Sequence, residues 1–146
     1  MVALDHGLSR LNDLPVSLRL IREIHQKLMA GARGEIWTPG EFRRTQNWIG
    51  PAGSTIESAP YVPPPPDEML AALHRLEDFI HADSDLPPLV RIGIIHHQFE
   101  AIHPFLDGNG RIGRLLIALL LCQWDLLSQP LLYLSSYFEK HRSEYY

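Results

Sequence analysis

Proline decides what this 146-residue chain can become. A proline inside a helix removes a donor and clashes with the preceding turn, so helices must lie between prolines or begin on them. Of twelve prolines, Pro39, Pro51 and Pro60 fall in a stretch without helical period, and the others punctuate apolar runs that have one. From Asn12 to Ala30, Leu18, Ile21, Ile24 and Leu28 recur at helical spacing; Asp13 is a candidate cap, Pro15 suits a first turn, and Gly31 and Gly34 stop the pattern. After the rigid run Pro63 to Pro66, the positions Met69, Leu70, Leu73, Leu76, Phe79 and Ile80 predict a helix ending near His81. Pro87 and Pro88 open a third, with Leu89, Ile92, Ile95, Phe99 and Ile102 facing a core, and Pro104 ends it. A fourth runs from Asn109 to Gln123, and Pro130 precedes a last amphipathic piece over Leu131 to Tyr146. Between Glu35 and Tyr61 the chain reads as a long loop or a short irregular hairpin. The expectation is an all-α domain with one irregular insertion.

A hydrophobic content of 45% with 21% charged residues suffices for one core, so residues 1–146 are expected to form a single domain. The formal charge of −4 argues against a nucleic-acid surface, which needs a basic excess. The single Cys122 excludes an internal disulfide and a cysteine zinc cluster. The longest apolar run, Leu115 to Cys122, is far short of the roughly 20 residues that span a bilayer. A cytoplasmic protein without a membrane or nucleic-acid partner is therefore expected. Ser143-Glu144-Tyr145-Tyr146 carries no stop signal, and the expectation is a native chain that continues beyond one or both ends.

The densest chemistry lies in His103-Pro104-Phe105-Leu106-Asp107-Gly108-Asn109-Gly110-Arg111-Ile112-Gly113-Arg114. A helix starting near Asn109 points its free N–H groups and the positive end of its dipole at any anion in the preceding loop. Gly108 and Gly110 permit the torsions of an anion-binding nest, and the Asn109 amide is a further donor. Arg111 and Arg114, three apart, adjoin on the first turn, and their forked guanidinium groups match phosphate geometry. Asp107 is a hard oxygen ligand suited to Mg²⁺ shared with phosphates. His103, with an ordinary pKa near 6.5, can take a proton from an attacking hydroxyl. Together these residues point to phosphoryl or nucleotidyl transfer. No Gly-Lys-Ser/Thr follows, as a Walker-type loop requires, and no strand precedes, as a dinucleotide fold requires. A zinc reading of His96, His97, Glu100 and His103 lacks His-Glu-x-x-His and is broken at Pro104. His97 and Glu100 are expected instead to brace the loop by hydrogen bonds.

The segment resembles the Fic motif, His-x-Phe-x-Asp/Glu-Gly-Asn-Gly-Arg-x-x-Arg, at every specified position. The resemblance extends to His97-Gln98-Phe99-Glu100-Ala101-Ile102, to Arg43-Arg44-Thr45-Gln46-Asn47-Trp48-Ile49-Gly50 and to Tyr61-Val62-Pro63-Pro64, a core of about residues 17–146. It implies a Fic-type helical bundle with a β-hairpin flap over the active site. It further implies a protein adenylyltransferase that moves AMP from ATP to a Tyr, Thr or Ser hydroxyl of a target protein and releases pyrophosphate. By resemblance His103 is the general base and Asp107 positions Mg²⁺. Gly108, Asn109 and Gly110 form the anion hole, and Arg111 and Arg114 hold the distal phosphates. The flap matches Thr55 to Tyr61 and docks the target, or the chain itself, by strand addition. Ser58, Ala59, Pro60 and Tyr61 are the implied nucleotide contacts there, with Tyr145 and Tyr146 near the adenine. Related enzymes move a terminal phosphate, as the Doc toxins do, or a phosphocholine; a catalytically silent interaction module is the remaining alternative. The family's inhibitory pattern, Ser/Thr-x-x-x-Glu-Gly/Asn, whose Glu pairs with the second motif arginine, is not found in this sequence. The inhibitory element then lies upstream of Met1, in a partner protein or nowhere; for a chain complete as given, the resemblance implies an Arg114 without that restraint and a constitutively competent domain that does not hydrolyse AMP back off its target.

Overall fold

A computed structural model of the chain describes residues 2–30, 38–128, 137, 140 and 141. Five helices run in the order α1 (Val2–Arg10), α2 (Leu18–Met29), α3 (Pro66–His81), α4 (Pro88–Ile102) and α5 (Asn109–Gln123). The last three match the proline-bounded segments of the sequence. Both α3 and α4 carry proline in the first turn, where the missing N–H has no helical partner to lose.

The first expected helix begins later than its apolar period suggested. Ser17, in extended conformation, caps α2 by accepting the Leu20 N–H at 3.3 Å, so Asp13 and Pro15 lie in the connection before it. That connection is fastened from outside, with the Val16 N–H on Gln123 Oε1 at 2.6 Å and the Leu18 N–H on Glu77 Oε1 at 2.7 Å. The helix α1 had no expectation attached to it; nine residues show too little period to stand out. It docks through Gly7, where an added Cβ would come within 3.0 Å of Leu119 and 3.1 Å of Ile24.

The helix α5 is the central one, packing on α1, α2 and α4, which explains why its apolar residues surround it almost completely. Leu116, Leu119 and Leu120 meet Leu20 and Ile24 of α2, Ile95 and Phe99 of α4 and, through α3, Met69 and Leu73 in one buried cluster. Among the described residues no helix is long and apolar enough to cross a membrane.

The expected β-hairpin flap is not present as strands among the described residues. A single antiparallel bridge pairs Ile49 with Tyr61, with N–H···O distances of 2.9 and 3.4 Å. In that register the next hydrogen-bonded pairs would be 47 with 63 and 51 with 59, and Pro63 and Pro51 have no N–H to give. Turns fill the interval instead, closed by Ser54 N–H on Pro51 O and Ala59 N–H on Thr55 O. Of the expected final piece over residues 131–146 only residues 137, 140 and 141 are described, with the His141 N–H on Tyr137 O at 3.1 Å, and Tyr145 and Tyr146 lie outside the described residues.

Candidate active site

The site is built where α4 hands the chain to α5. His103 ends α4 in the left-handed conformation (φ 50°, ψ 60°), its N–H still bonded to Phe99 O at 3.0 Å. The chain then dives: Pro104 and Phe105 are buried, and the Phe105 ring stacks on the imidazole of His25 at 3.8 Å and 3°. Phe42 and Phe99 pack tilted against the same ring at 5.2 and 6.5 Å. Gly108, at φ 82°, turns the chain back into α5, and a Cβ there would also press on Met29 Sδ at 3.3 Å.

Asn109 closes this turn on itself. Its Oδ1 accepts the Phe105 N–H and its Nδ2 donates to Phe105 O, both at 2.8 Å. One hydrogen of the Asn109 amide expected to reach an anion is thus spent on the loop's own backbone. Asn109→Ala leaves the buried Phe105 N–H without a partner, worth about 1–3 kcal/mol, and its C=O with only the longer bond from Asn47 Nδ2 at 3.4 Å. We expect a loss of about 2–4 kcal/mol, read as a lower thermal midpoint; an unchanged midpoint would show that the loop is held elsewhere.

His103 is set up as a base. Its Nδ1 lies 3.3 Å from the carbonyl of Glu100, a bond only an N–H can make, so the lone pair is left on Nε2. Burial holds its imidazole below the usual value; the Glu100 carbonyl opposes this and the charge of Arg43 adds to it. The ring is thus neutral at pH 7. Four residues on, the Asp107 carboxylate pairs with Arg111 at 3.0 Å, both half-exposed. Gly108 offers no side-chain cap to α5, so the first-turn N–H groups open toward the loop. Arg114, one turn further, folds back toward the helix start, its Nη1 within 3.3 Å of the Cβ position of Gly110.

His103, Asp107, Gly108, Gly110, Arg111 and Arg114 thus share one helix junction. Tyr61 joins them from the loop: its hydroxyl donates to Ala101 O at 2.8 Å, two residues before His103. Ser58 keeps to the loop, accepting the Thr55 N–H at 2.9 Å, with Ala59 and Pro60 between it and Tyr61. Glu100 braces the junction through its backbone carbonyl, which faces His103 Nδ1 at 3.3 Å. His97 is exposed.

Two residues that carry the site had no role assigned from sequence. His25 accepts the Gly40 N–H at Nδ1 (2.9 Å), which leaves Nε2–H to donate to Asp107 O at 3.1 Å. Burial keeps it neutral. Its signal was legible: it sits one turn after Ile21 on the apolar stripe of α2, where a polar residue needs partners. Arg43 is 2% exposed, and its guanidinium donates to four carbonyls: His103 at 2.9 Å, Thr45 at 3.1 Å, Ile102 at 3.4 Å, and Pro64. Its own N–H holds Pro104 O at 2.9 Å. Nothing in a loop arginine marks it as buried.

The described residues contain no group of three or more His, Cys, Asp or Glu able to hold a metal alone. One half-exposed carboxylate beside a helix N-terminus fits instead a hard cation whose other ligands are phosphate oxygens and water.

A sequence model of the Fic/DOC family matches residues 15–121. Curated relatives named protein adenylyltransferase Fic, from Drosophila willistoni and Drosophila grimshawi, are each 32% identical over 115 residues, 77% of this chain. The match spans 21% and 22% of their length, about a fifth. Among solved structures, a Fic family protein from Desulfovibrio desulfuricans G20 superimposes with a TM-score of 0.63 at 31% identity, covering 81% of this chain and 34% of its own. A Fic domain containing signaling protein from Bacteroides thetaiotaomicron VPI-5482 gives 0.66 at 25% identity over 84% of this chain and 44% of its own.

Proposed function

We propose that this chain, which belongs to the Fic/DOC family, is the catalytic unit of a protein adenylyltransferase, moving AMP from ATP to a Tyr, Thr or Ser hydroxyl of a target protein. The observation that carries the proposal is the junction itself: a neutral imidazole with its lone pair on Nε2, six residues before an uncapped helix N-terminus flanked by two arginines. The names of the relatives favour AMP as the group moved.

In this reading the polyphosphate of ATP lies over the first turn of α5, where the N–H groups of Asn109, Gly110 and Arg111 and the helix dipole meet its charge. Arg111 and Arg114 take the distal phosphates. Asp107 would hold a Mg²⁺ ion, which when bound supplies charge neutralisation on the phosphates. His103 Nε2 removes the proton from the target hydroxyl. The hydroxyl oxygen bonds to the α-phosphorus, the bond from that phosphorus to the bridging oxygen breaks, and pyrophosphate leaves. The target would lie along the loop around the Ile49–Tyr61 bridge, where Trp48, Ile49, Ile56, Tyr61 and Val62 are exposed apolar side chains. The reading places this chemistry in a reducing cytoplasm, where the lone Cys122 stays a thiol.

Full-length protein incubated with Mg²⁺, lysate and ATP labelled on the α- or the γ-phosphate tests the proposal. Label is expected on protein, the enzyme itself included, from the α position only. Transfer from the γ position would assign the terminal-phosphate chemistry instead, and no transfer with nucleotide bound would leave an interaction module.

A further inference from the structure

Glu100 is a carboxylate for which the reaction above has no use, yet it is placed inside the α4–α5 contact. Its Oε1 is buried without a hydrogen-bond partner. The same oxygen occupies the space a Cβ on Gly113 would take and lies 3.9 Å from the Cβ position of Gly110, which Arg114 Nη1 approaches to 3.3 Å. Carboxyl and guanidinium therefore flank the same glycine at the positive end of α5, near enough for the arginine's charge to act on the carboxyl but without a direct ion pair. A buried polar atom left without a partner calls for an explanation.

The titratable and charged groups of the packed elements can be named. On α4 they are His96, exposed His97 and, two turns away and spent on carbonyls at the end of α3, Arg91, with His103 just after its end; on α5 they are Arg111, turned to Asp107, and Arg114. From the loops come Asp107, bound to Arg111, and Arg43, spent on carbonyls that include those of Ile102 and His103. Burial raises the Glu100 carboxyl to about 7, and the one charge that opposes this is Arg114. Burial lowers the His96 imidazole below its usual value, against the Gly113 carbonyl and with the charge of the same arginine.

We propose that Glu100 is the internal counter-ion of Arg114, and that it yields the arginine to a nucleotide polyphosphate by taking up a proton from solvent. The inference rests on the reading that Arg114 holds distal phosphates. Two anions then compete for one guanidinium. The phosphates are held in addition by the helix start and Arg111, so the carboxylate is the one neutralised. Linkage fixes the sign: binding takes up a proton, and lower pH tightens binding. This carboxylate comes from the helix that also ends in the base, so nucleotide loading and the charge beneath the phosphates become one event.

Isothermal calorimetry with a Mg²⁺ complex of a non-hydrolysable ATP analogue, at pH 8 in buffers of different ionisation enthalpy, reads the proton directly. Wild type is expected to take up more protons than Glu100→Gln; the titration of the nucleotide and of His103 is common to both. Wild-type affinity is expected to weaken from pH 6 to pH 8 by up to about tenfold for each unit by which the ligand raises the carboxyl. Glu100→Gln stays near the low-pH value. Equal proton uptake and equal pH dependence in the two proteins would overturn the inference alone. Absence of nucleotide binding by wild type would overturn the functional reading and this inference with it. If Glu100→Gln fails to fold, an infrared difference spectrum of wild type decides: nucleotide must produce a protonated-carboxyl band at the expense of a carboxylate band, and its absence overturns the proposal.

Discussion

Replacing His103 by alanine is expected to slow AMP transfer by about 10²- to 10⁴-fold while leaving nucleotide affinity in place. The imidazole is the group whose Nε2 lone pair is kept bare by the Nδ1 bond to Glu100 O, whereas the phosphates are met by α5 and its arginines. Alanine at this left-handed position (φ 50°) adds strain, so His103→Asn, which tolerates that conformation, separates the backbone effect from the chemical one. Both variants should lose transfer and both should bind nucleotide. Loss of binding in both would contradict a base role. The pH profile follows from the same burial. The base works when neutral and its pKa lies below the usual value, so the rate in wild type at saturating nucleotide should be flat near neutrality and fall only on the acid side.

Arg43→Met is expected to lose about 3–5 kcal/mol of stability, with a fall in melting temperature of about 10 °C or more. Four carbonyls converge on that guanidinium, and those of Ile102, His103 and Pro64 cannot all find water once it is gone. Methionine fills much of the same volume, so what is measured is the hydrogen bonding. Arg43→Lys keeps the charge but not the fork, and should recover only part of the loss. Transfer should fall with stability, because the strap ends on the carbonyl of His103 itself and on the loop that leads to Tyr61. Wild-type melting in Arg43→Met would show that the base and the loop are held together by something else.

Some of this was open to reading in advance. The ends of α3, α4 and α5 followed from proline at their starts and from the glycine torsion before Asn109. The residues gathered at the α4–α5 junction followed from their spacing in one run. The start of α2 did not, because Ser17 capped more effectively than Asp13 once the preceding turn was tied to Gln123 and Glu77. The flap followed only as a place: prolines that forbid a ladder were visible, but their register opposite residues 47 and 59 needed the bridge. His25 had no role assigned and the structural role of Asn109 went unseen for a common reason. A polar side chain near a phosphate loop reads as a ligand contact or as nothing, and here both spend their hydrogen bonds holding the loop's own backbone.

By itself the sequence determined where α3, α4 and α5 lie and which chemical groups share one helix start. Those outcomes depend on torsions and spacings within a few residues, and proline, glycine and the 3.6-residue period act there whatever surrounds them. Only the tertiary structure decided that Arg43 is a strap, that His25 holds the Asp107 carbonyl and that a Glu100 oxygen is buried against Gly113. Each rests on burial and on partners brought together by packing, 60 residues apart for Arg43 with His103 and 82 for His25 with Asp107. A side chain's charge state and hydrogen bonds are properties of the space it is folded into, and that space exists only once α4 and α5 have closed on it.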